Sequence, residues 1–123
     1  VLPLGMTINM DGTAIMQVVA TVFIAGCAGY TVTPAPLVVV ALLALLASVG
    51  TPAAPGAGAV ILFTILSGAG FVNDSALLAY SLILAINRPI EMLVTSLNVV
   101  GDAVASICVA KSEGLLDEEK FNA

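Results

Sequence analysis

Over its first 110 residues this chain carries almost no charge. Asp11, Asp74, Arg88, Glu91 and Asp102 are the ionisable exceptions, and the other six charged side chains crowd into the tail KSEGLLDEEKFNA. A soluble domain is about one quarter charged; here 9% of 123 residues are charged, 60% are hydrophobic, and mean hydropathy is +1.16. Such a chain is expected in a bilayer, where backbone polar groups must be satisfied within the protein. The net charge of −5 resides mostly in the tail, which argues against a nucleic-acid partner. Histidine is absent, removing histidine acid–base chemistry and most zinc sites. Cys27 and Cys108 stand alone in apolar runs without metal or redox spacing, and read as small buried hydrophobes. The start, VLPLGM, has no initiator Met and no basic region before its apolar run, so the chain is expected to be the C-terminal part of a longer protein.

The apolar runs are interrupted in a definite order. Residues 13–29 form a stretch just long enough to span, preceded by the polar NMDGT and closed by GYTVTPAP. Residues 37–49 are too short to cross a bilayer that needs about 20 residues. The chain breaks at GTPAAPGAGA and resumes as VILFTILSGAGF. Two short apolar arms around a Pro/Gly/Ala tip predict a re-entrant hairpin over 37–71, with its tip at 50–58 in protein or at a water-filled cavity. After VND, where Asn73 or Asp74 can cap a helix, residues 75–111 would make about 54 Å of helix, far beyond a 30 Å core. NRP at 87–89 is expected to break or kink it. The resulting all-α organisation is a broken transmembrane helix at 1–30, the hairpin, a long kinked final helix and an acidic tail at 112–123. The turns near 30–36 and 71–75 carry no Lys or Arg, whereas Lys111 and Lys120 follow the last helix. The positive-inside rule therefore places the tail in the cytoplasm.

The polar residues of the last helix share a face. Asn87, Glu91, Thr95, Asn98 and Asp102 are spaced by 4, 4, 3 and 4. At about 100° per residue, Asp102 returns to within roughly 20° of Glu91. Thr95 or Asn98 alone would pass as interhelical glue. Two carboxylates at bilayer depth instead mark an ion or substrate path, although Glu91 can also pair with Arg88 three residues earlier. Asp11, Asn9, Thr13 and the carbonyls freed by a helix break are hard oxygen donors suited to a small alkali cation. Broken helices with such donors at the midplane are how secondary transporters hold ions and substrates.

NMDGT in a broken helix, SVGTPAAPGAG at a hairpin tip and TSLNVVGDAVASICVAK on the last helix together resemble the glutamate transporter family. These are the dicarboxylate/amino acid:cation symporters that include the excitatory amino-acid transporters of animals. The resemblance runs through the whole chain and corresponds to the last third of the family's sequence, the C-terminal half of its transport domain. It implies a multi-pass protein of the plasma or inner membrane, a homotrimeric scaffold and a missing N-terminal part. It further implies a co-transported cation, sodium or a proton, and a small amino acid or dicarboxylate substrate. One implied cation site uses the carbonyls of Gly5, Asn9 and Asn98 with the Asp102 carboxylate. A second uses the carbonyls of Thr7, Ser48, Val49 and Thr51, and a third lies around Asn9 and Asp11. Implied substrate contacts are Thr13, the tip backbone at Ala53, Ala54, Pro55, Gly56 and Gly58, the acidic residue Glu91, position 94, Thr95 and Asn98. Asn98 would hold the main carboxylate and Glu91 the ammonium group.

Three positions depart from the family. Val94 stands where acidic-substrate members carry an arginine, and valine offers no donor to a side-chain carboxylate. A neutral amino acid is therefore favoured, with an acidic amino acid or dicarboxylate held by another basic residue as the alternative. Arg88 is the candidate, but six residues at 100° put it about 120° from Val94 around the helix, a poor substitute unless the chain kinks at Pro89. Glu91 is one methylene longer than the usual aspartate, and Asn87 replaces a residue that is commonly acidic. A passive channel and an intramembrane aspartyl protease are the remaining readings. The protease pattern GxGD fails, since residue 99 is Val and Met10 precedes Asp11.

Overall fold

The computed structural model describes residues 1–122. Among them the structure is helix, turn and coil, and two helical stretches are long and apolar enough to span a membrane: 2–27, of 26 residues, and Arg88–Ser112, of 25. The first stretch is two helices. α1 runs Leu2–Ile8 and α2 runs Asp11–Cys27. Between them Asn9 (φ −102°, ψ 75°) and Met10 (φ −116°, ψ 50°) leave helical geometry, so the break precedes Asp11, which opens α2. A helix end leaves its last four carbonyls without intrahelical partners. The break leaves the last carbonyls of α1 outside the helical ladder, save that of Gly5, which accepts from Asn9 N at 2.9 Å.

The hairpin arms are α3 (Pro34–Gly50) and α4 (Ala57–Gly68), joined by the loop 51–56. α3 begins earlier than the apolar run at 37 predicts. Pro34 and Pro36 occupy its first turn, where a missing N–H sacrifices no helical bond. α4 is 12 residues, about 18 Å, too short to span. α5 (Asp74–Ile86) starts at Asn73, whose side chain accepts from Ala76 N at 2.8 Å. α6 (Arg88–Ser112) follows directly, with Pro89 in its first turn, so Asn87 is the joint at which the long apolar stretch divides. A further turn of helix, α7 (Glu118–Phe121), is capped by Asp117, an element the charge pattern of the tail did not predict.

α2 is the centre of the assembly and packs on α3, α4, α5 and α6. Its C-terminal end, the hairpin and the start of α5 bury a core of Ile24, Ala25, Val40, Ala44, Leu62, Ile65, Leu66, Phe71 and Ala76. Tyr30 and Phe71 close that end, ring centroids 4.9 Å apart. The crossing of α2 and α6 is close because Gly12 has no side chain: a Cβ there would lie 2.5 Å from the Val94 carbonyl oxygen. The outside remains apolar, with Phe23, Leu46, Leu82, Ile86, Met92 and Leu93 all exposed. This arrangement overturns the expectation for the cysteines. Cys27 and Cys108 are both exposed, because in a protein surrounded by hydrocarbon an apolar position does not have to face inward.

Candidate functional site

The polar face of α6 meets the break between α1 and α2. Asp102, 8% exposed, accepts a hydrogen bond at Oδ1 from Asn9 Nδ2 at 3.0 Å. The same amide reaches the Asn98 carbonyl at 3.4 Å. Gly5 lies directly against the carboxylate, and a Cβ there would overlap Asp102 Oδ1. Gly5, Asn9, Asn98 and Asp102 are thus brought together around one carboxylate. No Lys or Arg pairs with Asp102 among the described residues. Asn98 joins α6 to α2: its Oδ1 accepts from Gly12 N at 2.8 Å and its Nδ2 donates to Thr13 Oγ1 at 3.1 Å. Both atoms of the amide therefore have protein partners.

Above this floor opens a cleft of about 600 Å³ between α1, α2, α6 and the hairpin loop. Thr13, Ala53, Ala54, Pro55, Gly56, Gly58, Glu91, Val94, Thr95 and Asn98 all line it, as do Asn9, Thr51 and Asp102. Thr95 Oγ1 donates to the Glu91 carbonyl at 2.7 Å, and Glu91 Oε2 accepts from Arg88 Nη1 at 2.9 Å. Of the residues implied for the two further cation sites, Asn9 and Thr51 line the cleft and Thr7, Asp11, Ser48 and Val49 do not. Asp11 is exposed outside the cleft, its carboxylate and the Asn9 amide both facing Gly101, where a Cβ would lie 3.2 Å from Asp11 Oδ2. Thr7 is exposed and turns its hydroxyl back to the Leu4 carbonyl. Ser48 and Thr51 are buried near the end of α3, where Thr51 Oγ1 donates to the Ala47 carbonyl at 2.7 Å, while Val49 is exposed.

Two further residues, Arg88 and Gln17, border or brace the site, and of these sequence reasoning missed only Gln17. Arg88, the basic residue considered as the alternative to position 94, lines the same cleft as Val94, the helix having divided at Asn87 just before Pro89. It is the first residue of α6, at the joint with α5, and its long side chain folds along the cleft to Glu91 one turn on. Gln17 is fully buried and donates through Nε2 to the Gly58 carbonyl at 3.2 Å, tying α2 to the first turn of α4. A signal for it existed: Thr13, Gln17 and Thr21 recur every four residues in an apolar helix, and all three are buried.

Comparison with known proteins bears on this geometry. The model of the sodium:dicarboxylate symporter family matches residues 1–112. This chain belongs to that family. Excitatory amino acid transporter 2 of Homo sapiens is 42% identical over 118 residues, covering 95% of this chain and 20% of the relative. Excitatory amino acid transporters of Onchocerca volvulus and Caenorhabditis elegans are each 42% identical over 107 residues, 86% of this chain. The chain spans about a fifth of the length of these relatives. The symporter family consists of membrane transporters rather than enzymes, which removes the protease reading.

Proposed function

We propose that this chain is the C-terminal half of the transport domain of a sodium-coupled symporter for a small amino acid or dicarboxylate. The observation that carries the reading is Asp102. A carboxylate at bilayer depth, held by the Asn9 amide beside broken helix ends and without a cationic side chain, calls for a mobile counter-ion. Sodium is the ion named in the family's description. Gly5, Asn9 and Asn98 would offer carbonyls and Asp102 a charged oxygen, a donor set of hard oxygens that fits it. Thr7, Ser48, Val49 and Thr51, and separately Asn9 with Asp11, are proposed for further cation sites.

Coupling follows from adjacency. Asn98 belongs to the cation cluster through its carbonyl and to the cleft through its amide, which anchors Thr13 and Gly12. A cation that draws in the Asn98 and Asn9 carbonyls sets the floor on which substrate rests. The hairpin α3–α4 lies over the cleft and is proposed as the gate, its loop 51–56 presenting backbone groups to the ligand. Alternating access would be movement of this unit against a trimeric scaffold in the cell membrane, with the tail in the cytoplasm. The test is sodium titration of substrate binding by the complete carrier and by its Asp102→Asn variant. The reading expects the sodium affinity to fall at least tenfold. An unchanged sodium affinity overturns the assignment.

A further inference from the structure

At 25 residues α6 is about 37 Å long, against a hydrocarbon core of about 30 Å, so as a span it brings Ser112 out at the depth of the lipid headgroups. The chain does not run straight on from there. Gly114, at a φ of 66°, reverses it: Leu115 N returns to the Ala110 carbonyl at 2.8 Å and Gly114 N to the Lys111 carbonyl at 3.2 Å. That pair of bonds around a left-handed glycine is the helix stop that turns the chain back beside the last turn. An ion pair closes the fold-back, with Lys111 Nζ 3.4 Å from Glu118 Oε1 at the start of α7. Asp117 caps α7 by accepting from Lys120 N at 3.1 Å. Leu116 and Phe121 stand on either side of that cap at the spacing of a hydrophobic staple. Two large apolar side chains of the segment nevertheless face outward: Leu115 is 80% exposed and Phe121 56%. Four residues of helix gain little from their own hydrogen bonds, so an ordered turn presenting leucine and phenylalanine calls for an apolar surface beside it.

We propose that residues 113–122 lie on the bilayer surface at which α6 emerges, with Leu115 and Phe121 entering the boundary between headgroups and acyl chains. Continuity with the span makes lipid the occupant. Val104 and Val109 are exposed on the last turns of α6, and Leu115, bonded to Ala110, carries that apolar surface past the helix end. The Lys111–Glu118 pair keeps α7 at this depth instead of letting it extend into water. Charge selects the lipid. Residues 111–122 hold Lys111 and Lys120 against Glu113, Asp117, Glu118 and Glu119, so carboxylates are in excess. An anionic leaflet attracts basic segments and repels this one, which leaves zwitterionic lipid as the favoured partner. Interfacial segments bury their apolar side chains about 5–10 Å into the boundary while their charged groups stay wet. The segment thereby fixes the depth at which α6 ends. This requires only that α6 spans, and holds whatever cation or substrate the carrier takes.

The experiment attaches a nitroxide to Leu115→Cys, to Phe121→Cys and, as a control at an exposed charged position, to Glu119→Cys. Each is made in the complete carrier with its other cysteines replaced, in phosphatidylcholine nanodiscs. Collisions with oxygen, which concentrates in lipid, are compared with collisions with a water-soluble nickel chelate. Labels at 115 and 121 are expected to favour oxygen over nickel several-fold more than the label at 119. Equal, water-like ratios at all three positions overturn the proposal. Labels at 115 and 121 shielded from both reagents show a protein cover and overturn it as well. Lys111→Gln breaks the fold-back without touching an apolar residue, and is expected to raise nickel access at 121; unchanged access overturns the pinning by Lys111. Replacing part of the phosphatidylcholine by phosphatidylserine is expected to lower the oxygen preference at 121, and no change or a rise overturns the choice of zwitterionic lipid.

Discussion

Asp102 and Gly12 illustrate how much single positions decide in a chain with so few polar groups. Asp102 was legible because a carboxylate is out of place among Val99, Val100, Ala103 and Val104, and its spacing from Asn98 and Glu91 put it on a shared face. Its partners were less so, since the Asn9 side chain and the Gly5 backbone approach it from 93 and 97 residues away. Gly12 carries a prediction of its own. In Gly12→Ala the new methyl meets the Val94 carbonyl oxygen and Cα, both backbone atoms that cannot swing aside. Overpacking of this sort costs about 1–3 kcal/mol. A lowered unfolding midpoint in detergent is expected, and an unchanged midpoint would show that α2 and α6 do not cross this closely. The place of Arg88 turned on the break at Asn87. A continuous helix would have set it about 120° from Val94, but as the first residue of α6 it reaches Glu91 and the cleft.

At the scale of elements, the hairpin, the broken first helix and the joint at Asn87 were all signalled by local chemistry: Pro and Gly at the tip, Asn and Asp in NMDGT, Pro89 after Asn87. The exact break at 9–10 was not, since nothing in NMDGT distinguishes a helix ending before Asp11 from one ending after it. The tie between α2 and α4 was also hidden, because one Gln in an apolar run does not name its partner. Replacing that residue tests the tie. Gln17→Leu removes the donor to the Gly58 carbonyl, and amide exchange across 52–58 is expected to quicken several-fold. Exchange at the wild-type rate would mean that the loop is held by packing alone. The tail offers a pH prediction. Backbone and side-chain hydrogen bonds from Lys120 hold the Asp117 carboxyl below its usual range. A depressed folded pKa contributes stability above the unfolded value that is lost as pH falls through the folded one. The turn 118–121 is therefore expected to persist from neutral pH down to the ordinary carboxylate range and to melt below it, as amide chemical shifts would report. Melting at neutral pH would contradict the cap.

For the whole molecule, the balance of exposed and buried surface is informative. Few large side chains are fully buried, and much of the leucine, valine and phenylalanine is outside. Composition made the membrane setting legible, but it could not separate lipid-facing surface from surface covered by other parts of a carrier, and so misplaced the two cysteines. The cleft and the group around Asp102 have walls on the sides that α1, α2, α6 and the hairpin supply. We therefore expect the isolated chain to support no gradient-driven uptake in liposomes; accumulation by the chain alone would contradict the proposal that it is one part of a carrier.

The proposed function couples a cation at Asp102 to a ligand in the cleft. It is tested most directly by uptake of labelled aspartate into proteoliposomes of the complete carrier under an inward sodium gradient. Accumulation above the external concentration is expected, collapsing when the gradient is dissipated. Uptake that merely equilibrates, or that proceeds equally well without a sodium gradient, would contradict it and point to a passive pore.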